Sequence, residues 1–411
     1  MDSMKNILVY WDHLASEPMP FGILSAQCIR NKEIFSFIFD DGWLKRHPDG
    51  NSLCPELQFY SGRQYTDKVN YGLFLDASPD RWGRKLMMRR ETMRARNANE
   101  KPRVLLESDF LLGVYDETRM GALRFKLSDD GDFMNNDLEM AAPPWTYLRE
   151  LEEASRMLEN DAVASKHEKW LSVLLAPGSS LGGARPKASV TSPDGELWIA
   201  KFPSQKDEFD ISAWEFSTML MARDAGLNTP AVKLGNFSKQ GATFLCKRFD
   251  RLNGQRMHFA SAMNLLGKID GDKDTSYLEL AEFIIGNSPK PKEDLHELWK
   301  RIVFSIAVSN TDDHLRNHGF LLAANGWRLS PIYDVNPNPG GKGLSLNINE
   351  NDNGLDFDLA LEIAPYFRLD DKEANNVLNN IRHVVSKWRG YAKRNGISNA
   401  EIESMAPAFL V

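Results

Sequence analysis

The segment Asn310-Thr311-Asp312-Asp313-His314-Leu315-Arg316-Asn317 carries the densest chemistry in the chain. An aspartate followed five positions later by an asparagine, Asp312 and Asn317, is the D-x-x-x-x-N spacing with which kinase catalytic loops place a general base and a metal ligand. The same composition also suits an ordinary turn, in which Asp and Asn bond their own backbone. The next two dozen residues favour the first reading. Residues 319–323 and 327–332 are apolar, strand-like runs meeting at Asn325-Gly326, a pair whose preference for positive φ suits a tight hairpin. That hairpin ends at Tyr333-Asp334-Val335. Asp334, delivered to the same place as Asp312 and Asn317, would supply the second ligand for the magnesium that phosphoryl transfer requires. His314 either orients this loop or is a satisfied structural histidine.

A partner for the phosphates lies upstream. Strand alternation puts Leu197, Ile199 and Lys201 on one face, so a lysine ends an apolar strip able to cover an adenine. The alternative is a strand-end lysine that reaches out to solvent. Before it comes the small-residue loop Gly178-Ser179-Ser180-Leu181-Gly182-Gly183, whose Ser180, Gly182 and Gly183 are candidates to lie along the nucleotide. Loop, strand lysine, helix with Glu215, connecting strand, D-x-x-x-x-N and hairpin-borne aspartate follow the order of parts in a two-lobed kinase. Glu215 fits two roles: the helix glutamate that pairs with Lys201, or the far end of a capping box opened by Ser212.

The loop also satisfies G-x-S-x-G, a nucleophile elbow with Ser180 as nucleophile and His314 or His383 as a later base. An elbow needs a helix at once after the serine. Gly182, Gly183 and Pro186 break helix there, and residues 188–191 favour strand, so a serine hydrolase is the second choice. Gly267-Lys268 and Gly341-Lys342 are followed by Ile269 and Gly343, not Ser or Thr, which excludes a Walker loop. A third possibility, a non-enzymatic DNA-associated subunit, draws on the basic residues between 84 and 103.

The elements that must hold these residues are legible in outline. Residues 7–10 and 34–39 read as strands, the second followed by a turn-like Asp40-Asp41-Gly42. Ser78-Pro79-Asp80 offers an N-cap, a first-turn proline and an acid, so a helix starts there. Residues 129–144 read as a linker and 145–158 as a helix. A strand near 188–191, the turn Ser192-Pro193-Asp194-Gly195 and a strand over 196–202 precede a helix that runs from about Ser212 to Gly226. A further strand covers 243–249. Ala374, Val377, Leu378, Ile381, Val384, Val385 and Trp388 recur at helical steps on one buried stripe. The expected division is 1–130, 145–250 and 251–411.

With 411 residues the chain can bury two or three cores. Its 42% hydrophobic and 26% charged residues exclude a disordered, collagenous or disulfide-framework class. The formal charge of −7 leaves any nucleic-acid contact to a local patch. Cys28, Cys54 and Cys246 are too far apart for a zinc pattern, and no long apolar run or basic leader is seen, so a cytoplasmic protein with no membrane partner is expected.

GSSLGGARPKA (178–188), LWIAKFP (197–203), NTDDHLRN (310–317) and SPIYDV (330–335), with GLFLDASPDRWGR (72–84) and ETRMGALRF (117–125), together resemble the HipA-like serine/threonine kinases, toxins of bacterial toxin–antitoxin pairs. The resemblance implies an α+β, two-lobed protein-kinase-like fold with a β-rich N-terminal subdomain and an all-helical C-terminal lobe. It assigns Lys201 to the phosphates, Asp312 to catalysis, Asn317 and Asp334 to magnesium, and Lys247 to Phe249 to the hinge that holds adenine. Ser180 falls on the loop serine that such kinases phosphorylate in themselves, with Ser179 as its neighbour. ATP and Mg2+ are the implied cofactors. The implied partners are a helix-turn-helix antitoxin, operator DNA through that antitoxin, and a protein substrate such as an aminoacyl-tRNA synthetase. Arg316 departs from the pattern, standing where a lysine is frequent.

Overall fold

The computed structural model describes residues 4–47, 53–136, 142–159, 174, 185–272 and 274–411. The chain divides into two compact units: Met1–Ser204 with Asp250–Ala260, and Gln205–Phe249 with Ser261–Val411.

In the N-terminal unit, β1 (Met4–Trp11), β2 (Met19–Ile29), β3 (Lys32–Phe39), β4 (Gln64–Tyr65) and β5 (Leu123–Lys126) form an antiparallel sheet in the order β4-β3-β2-β1-β5. Period-2 alternation in β3 turns Phe35, Phe37 and Phe39 inward, where Phe37 meets Phe74 at 5.5 Å and Phe39 stacks on Trp43 at 5.4 Å. The sequence reading missed β2, because Pro20 and Gly22 mask its pattern. Gly22 is demanded by packing: a Cβ there would lie 2.3 Å from the Ile38 carbonyl. Asp40 does not make a turn; its carboxylate accepts from Trp43 N at 2.8 Å and caps α1 (Asp41–Arg46).

After α2 (Gly72–Asp76) comes α3 (Arg81–Asn97), one of the expected helices, but its cap is Asp80, which accepts from Gly83 N at 2.8 Å. Ser78 instead donates back to the Phe74 carbonyl and closes the preceding turn. Much of the basic run is neutralised locally. Arg84 pairs with Glu107 at the start of α4 (Glu107–Gly113), and Arg94 pairs with Glu91 and Glu100. Beyond a 3-10 turn at Trp145–Tyr147 and α5 (Leu148–Glu159), β6 (Lys187–Thr191) and β7 (Leu197–Lys201) form an antiparallel hairpin. Its turn is the expected Ser-Pro-Asp-Gly, with Gly195 at φ +77° and its N–H on the Ser192 carbonyl.

The C-terminal unit opens with α6 (Ile211–Asp224) and an antiparallel pair, β8 (Val232–Gly235) and β9 (Thr243–Lys247). The expected capping box is absent. Asp210, not Ser212, caps α6, its Oδ1 accepting from Ala213 N while its Oδ2 accepts from Ala242 N. Ser212 and Glu215 are buried inside the helix. Next come α7 (Tyr277–Asn287) and α8 (Pro291–Ala307). Leu295, Leu298, Trp299, Ile302, Val303, Phe304 and Ile306 of α8 are wholly buried, so this helix is apolar almost all round in its C-terminal half and forms the core of the unit. The hairpin of β10 (Gly319–Ala323) and β11 (Gly326–Leu329) comes after it, with Ala323 opposite Gly326. Its turn is therefore Ala324-Asn325, one residue earlier than Asn325-Gly326. Gly326, at φ +135°, is required because a Cβ would meet the Asn287 carbonyl at 2.2 Å. Helices α9 (Phe357–Ile363), α10 (Asp371–Val385), α11 (Trp388–Arg394) and α12 (Asn399–Met405) complete the unit, and Ala374, Leu378, Ile381, Val384 and Val385 of α10 face inward as the stripe foretold.

Candidate functional site

Helix α8 aims the 310–317 loop. It ends at Ala307, and Ser309 just beyond it has a φ of +48° that lets Asn310 N reach back to the Ser305 carbonyl at 2.8 Å, a left-handed stop made without glycine. Asn310 is almost wholly buried, and its Oδ1 accepts from Asn336 N at 3.1 Å. The loop then presents two adjacent aspartates with opposite fates. Asp312 is exposed; among the described residues only its backbone carbonyl is engaged, by His314 N and by the Asn317 amide. Asp313 points into the core, where its carboxylate accepts from the Tyr277 hydroxyl at 2.6 Å and from the Ser305 hydroxyl at 3.2 Å. His318 Nε2 lies 3.0 Å from it, close enough for an ion pair though not aligned for a hydrogen bond. Burial opposes charge on Asp313, yet His318, Tyr277 and Ser305 outweigh it and hold its carboxyl below the usual range. Burial, with Asp313 behind it, pushes the Tyr277 hydroxyl well up.

Asn317 closes the loop in a short 3-10 turn. Its Nδ2 donates to the Asp312 carbonyl at 2.9 Å, which turns Oδ1 away, and that oxygen is buried without a hydrogen-bond partner among the described residues. A buried amide oxygen left open in this way fits a hard cation, which takes oxygen ligands. Asp334 is brought to the same loop. Its neighbour Tyr333 donates to the Arg316 carbonyl at 2.6 Å, and Asn336 bonds both Asn310 and, at 3.4 Å, Asp334 Oδ1. The backbone at Asp334 is left-handed, φ +59°, a conformation that Asp tolerates better than most residues. Asn338 and Ser345 add bonds to the Thr311 hydroxyl and carbonyl. The structure thus assembles Asp312, Asn317 and Asp334 on two stitched segments. Among the described residues no group of three or more His, Cys, Asp or Glu gathers in a metal-holding cluster, so a cation here would rest on a mixed amide and carboxylate set.

Phe249 lies 5.5 Å from Tyr333, ring to ring, which sets the expected adenine side next to the Asp334 turn. Lys247 ends β9, its N–H on the Ala231 carbonyl. His314 keeps a buried Nδ1 without a partner among the described residues. Lys201 ends β7 in the N-terminal unit; Leu197 to Ala200 before it are all buried, so both faces of the strand are covered, not one. Ser179, Ser180, Gly182 and Gly183 lie outside the described residues. Of the two bases considered for a hydrolase, His314 and His383, the latter is exposed on α10 with its Nε2 2.8 Å from Lys387 Nζ. Sequence reasoning missed Tyr277, Asn310, His318 and Asn336. Nothing local in the sequence ties Tyr277 to a carboxylate 36 positions away.

Residues 179–388, just over half of the chain, match the family model described as the HipA-like C-terminal domain. A Haemophilus influenzae protein named "Putative kinase" is 30% identical over 179 residues, 38% of this chain and 52% of that protein. A Sinorhizobium fredii protein named "Putative kinase Y4dM" is 28% identical over 154 residues, 34% of this chain and 37% of the relative. The alignments thus span about half the length of these curated relatives or less. Among solved structures, HipA from the Shewanella oneidensis MR-1 toxin–antitoxin complex with HipB and operator DNA superposes with a TM-score of 0.66 at 16% identity, over 97% of this chain and 94% of that one. That likeness bears on the fold alone, and the α+β, kinase-like class expected from the sequence is the class found. On the extent of the family match, the chain belongs to the HipA-like family.

Proposed function

We propose that this chain is an ATP-dependent serine/threonine protein kinase, the toxin of a toxin–antitoxin pair. The observation that carries the reading is the Asn317 amide, fixed through its nitrogen and open at its oxygen, on a loop bonded to the Asp334 turn and leaving Asp312 exposed. In this reading Asp312 accepts the proton of the incoming hydroxyl, and Lys201 draws the phosphates into register. Asn317 and Asp334 would hold magnesium, which when bound neutralises charge on the transferring group. His314, Lys247 and Phe249 border the nucleotide, with Ser180, Gly182 and Gly183 along its phosphates. Glu215, relieved of a capping role, is assigned to Lys201.

Ser180, or Ser179 beside it, is the proposed site of self-phosphorylation. Nearly two added negative charges there would repel the nucleotide and switch the enzyme off. Residues 1–130 would form the N-terminal subdomain, 145–250 the small lobe and 251–411 the large lobe. The HipB and operator DNA bound to the Shewanella protein support a helix-turn-helix antitoxin as partner, with DNA reached through it in the cytoplasm. The acceptor is a protein hydroxyl, an aminoacyl-tRNA synthetase being the candidate that the family likeness suggests.

Labelled ATP added to a cell extract with the purified chain should label one acceptor protein and the chain itself. ATP and magnesium at about 100 times the dissociation constant should stabilise the fold by roughly 2.7 kcal/mol in a melting experiment. A chain that transfers no label and melts identically with and without the nucleotide would remove the kinase reading.

A further inference from the structure

Two family-like segments of the N-terminal unit take no part in the site described above, and one of them touches the hairpin that carries Lys201. Asp80, the cap of α3, divides its carboxylate: Oδ1 accepts from Gly83 N at 2.8 Å, and Oδ2 lies 2.6 Å from Lys187 Nζ. Both side chains are nearly sealed, at 5% exposure for Lys187 and 7% for Asp80. Lys187 is the first residue of β6 and stands directly opposite Lys201 in the β6–β7 ladder. Side chains of directly opposed residues share a sheet face, so Lys187 and Lys201 leave the hairpin on the same side, and like charges opposite one another in a ladder are unfavourable unless compensated. Asp80 places a negative charge against one of them, and the positive end of α3 steadies that carboxylate.

We propose that Asp80 and Lys187 are positioning residues for phosphoryl transfer: the pair pins the β6 end of the hairpin to α3 and thereby sets Lys201 for the nucleotide phosphates. The inference rests on the kinase reading. A purely structural pair predicts something different, because a buried ion pair can be replaced as a whole by uncharged groups at little loss, while removal of one partner strands the other charge.

Asp80→Asn retains a side chain that caps α3 and removes only the charge, and Lys187→Met keeps the stem without the ammonium. In the full chain each single variant should melt lower than wild type, and the double variant should regain stability. Transfer at saturating ATP should fall between about 10- and 100-fold in both singles, the loss that slight misplacement of reacting groups brings, and should stay low in the double. Lys187→Arg should keep more turnover than Lys187→Met. Recovery of transfer together with stability in the double variant would overturn the proposal, as would full turnover in a folded Asp80→Asn. Hydrogen exchange reads the tether without activity: Asp80→Asn should speed exchange over residues 187–191 and 197–201, and unchanged exchange there refutes it. A wild-type chain that transfers no label while Asp80→Asn still speeds that exchange would sink the kinase reading and the catalytic half of this proposal, and would uphold the tether.

Discussion

Each unit buries a polar network, and the two are built differently. In the N-terminal unit the buried charges combine ion pairs, such as Asp250 with Arg251 and Asp116 with Arg124, with bonds to backbone. Arg119 donates to the carbonyls of Ala77, Leu111 and Val114, Arg256 to that of Asp116, and the Asp250 carboxylate accepts from Gly121 N. Burial lowers the Arg119 pKa to about 9 against the pull of Asp116. In the C-terminal unit one carboxylate, Asp313, gathers side chains alone, from Tyr277, Ser305 and His318, and the residue before it stays open to solvent. A network that bonds to carbonyls from several segments ties the chain to itself. One that stops a residue short of an exposed acid would, on the proposed reading, hold a reagent still.

The sharpest break of that comparison is Asp312→Ala. It should lower transfer by about 100- to 10,000-fold, the usual loss on removing a general base, with the melting curve unmoved. Undiminished transfer would strip Asp312 of its role. Arg119→Met should do the reverse. It leaves three buried carbonyls without their donor, a loss of about 3 to 9 kcal/mol if each is worth 1 to 3, while turnover per folded molecule is retained. A fall in turnover of folded Arg119→Met, read by active-site titration, would show that the N-terminal network also serves catalysis. Asp313→Asn should fall between the two: about 1 to 3 kcal/mol less stable in urea, and slower in transfer because Asp312 loses its anchor. Unchanged turnover in that variant would reduce the Asp313 network to a structural role.

Acid should separate the units by pH window. His258 is held neutral, its pKa lowered by burial first and by His13 second to about 3. A base whose folded pKa is depressed contributes stability that is fully present above its unfolded pKa and is lost as pH falls from about 6.5 toward 3. Asp313 is an acid with a depressed folded pKa, so its contribution is present above the ordinary aspartate value and is lost only as pH falls below it. Exchange near His258 should therefore speed up between about pH 6 and 4, before exchange in α8 responds, and His258→Gln should flatten the earlier limb. Simultaneous loosening of both regions would contradict the ordering.

Asp312, Asn317 and Asp334 could be picked out as candidates because local rules mark them: a fixed spacing, then a hairpin upstream of Asp334, which lies beyond the end of β11 at Leu329. The fate of their neighbours was not legible. Asp312 and Asp313 are identical as letters, and only Tyr277 and His318, supplied by other elements, decide which is buried. Asp210 and Ser212 are both good caps. Asp210 wins because Ala242 N occupies its second oxygen and Glu401 accepts from its own N–H, contacts from distant parts of the chain. At the β10–β11 turn the glycine was read as a turn residue, whereas the approach of the Asn287 carbonyl is what demands it. The strand lysine was visible, but its tethered neighbour Lys187 was not, since Asp80 lies 107 residues earlier.

The left-handed backbone at Asp334 has a genetic corollary. Asparagine and glycine are the residues that most readily share that conformation, and both lie a single nucleotide from an aspartate codon. Drift at this position can thus erase the carboxylate and keep the turn, so if Asp334 serves as proposed, a lineage under pressure to silence such a protein has a one-step route to a well-folded, inert descendant.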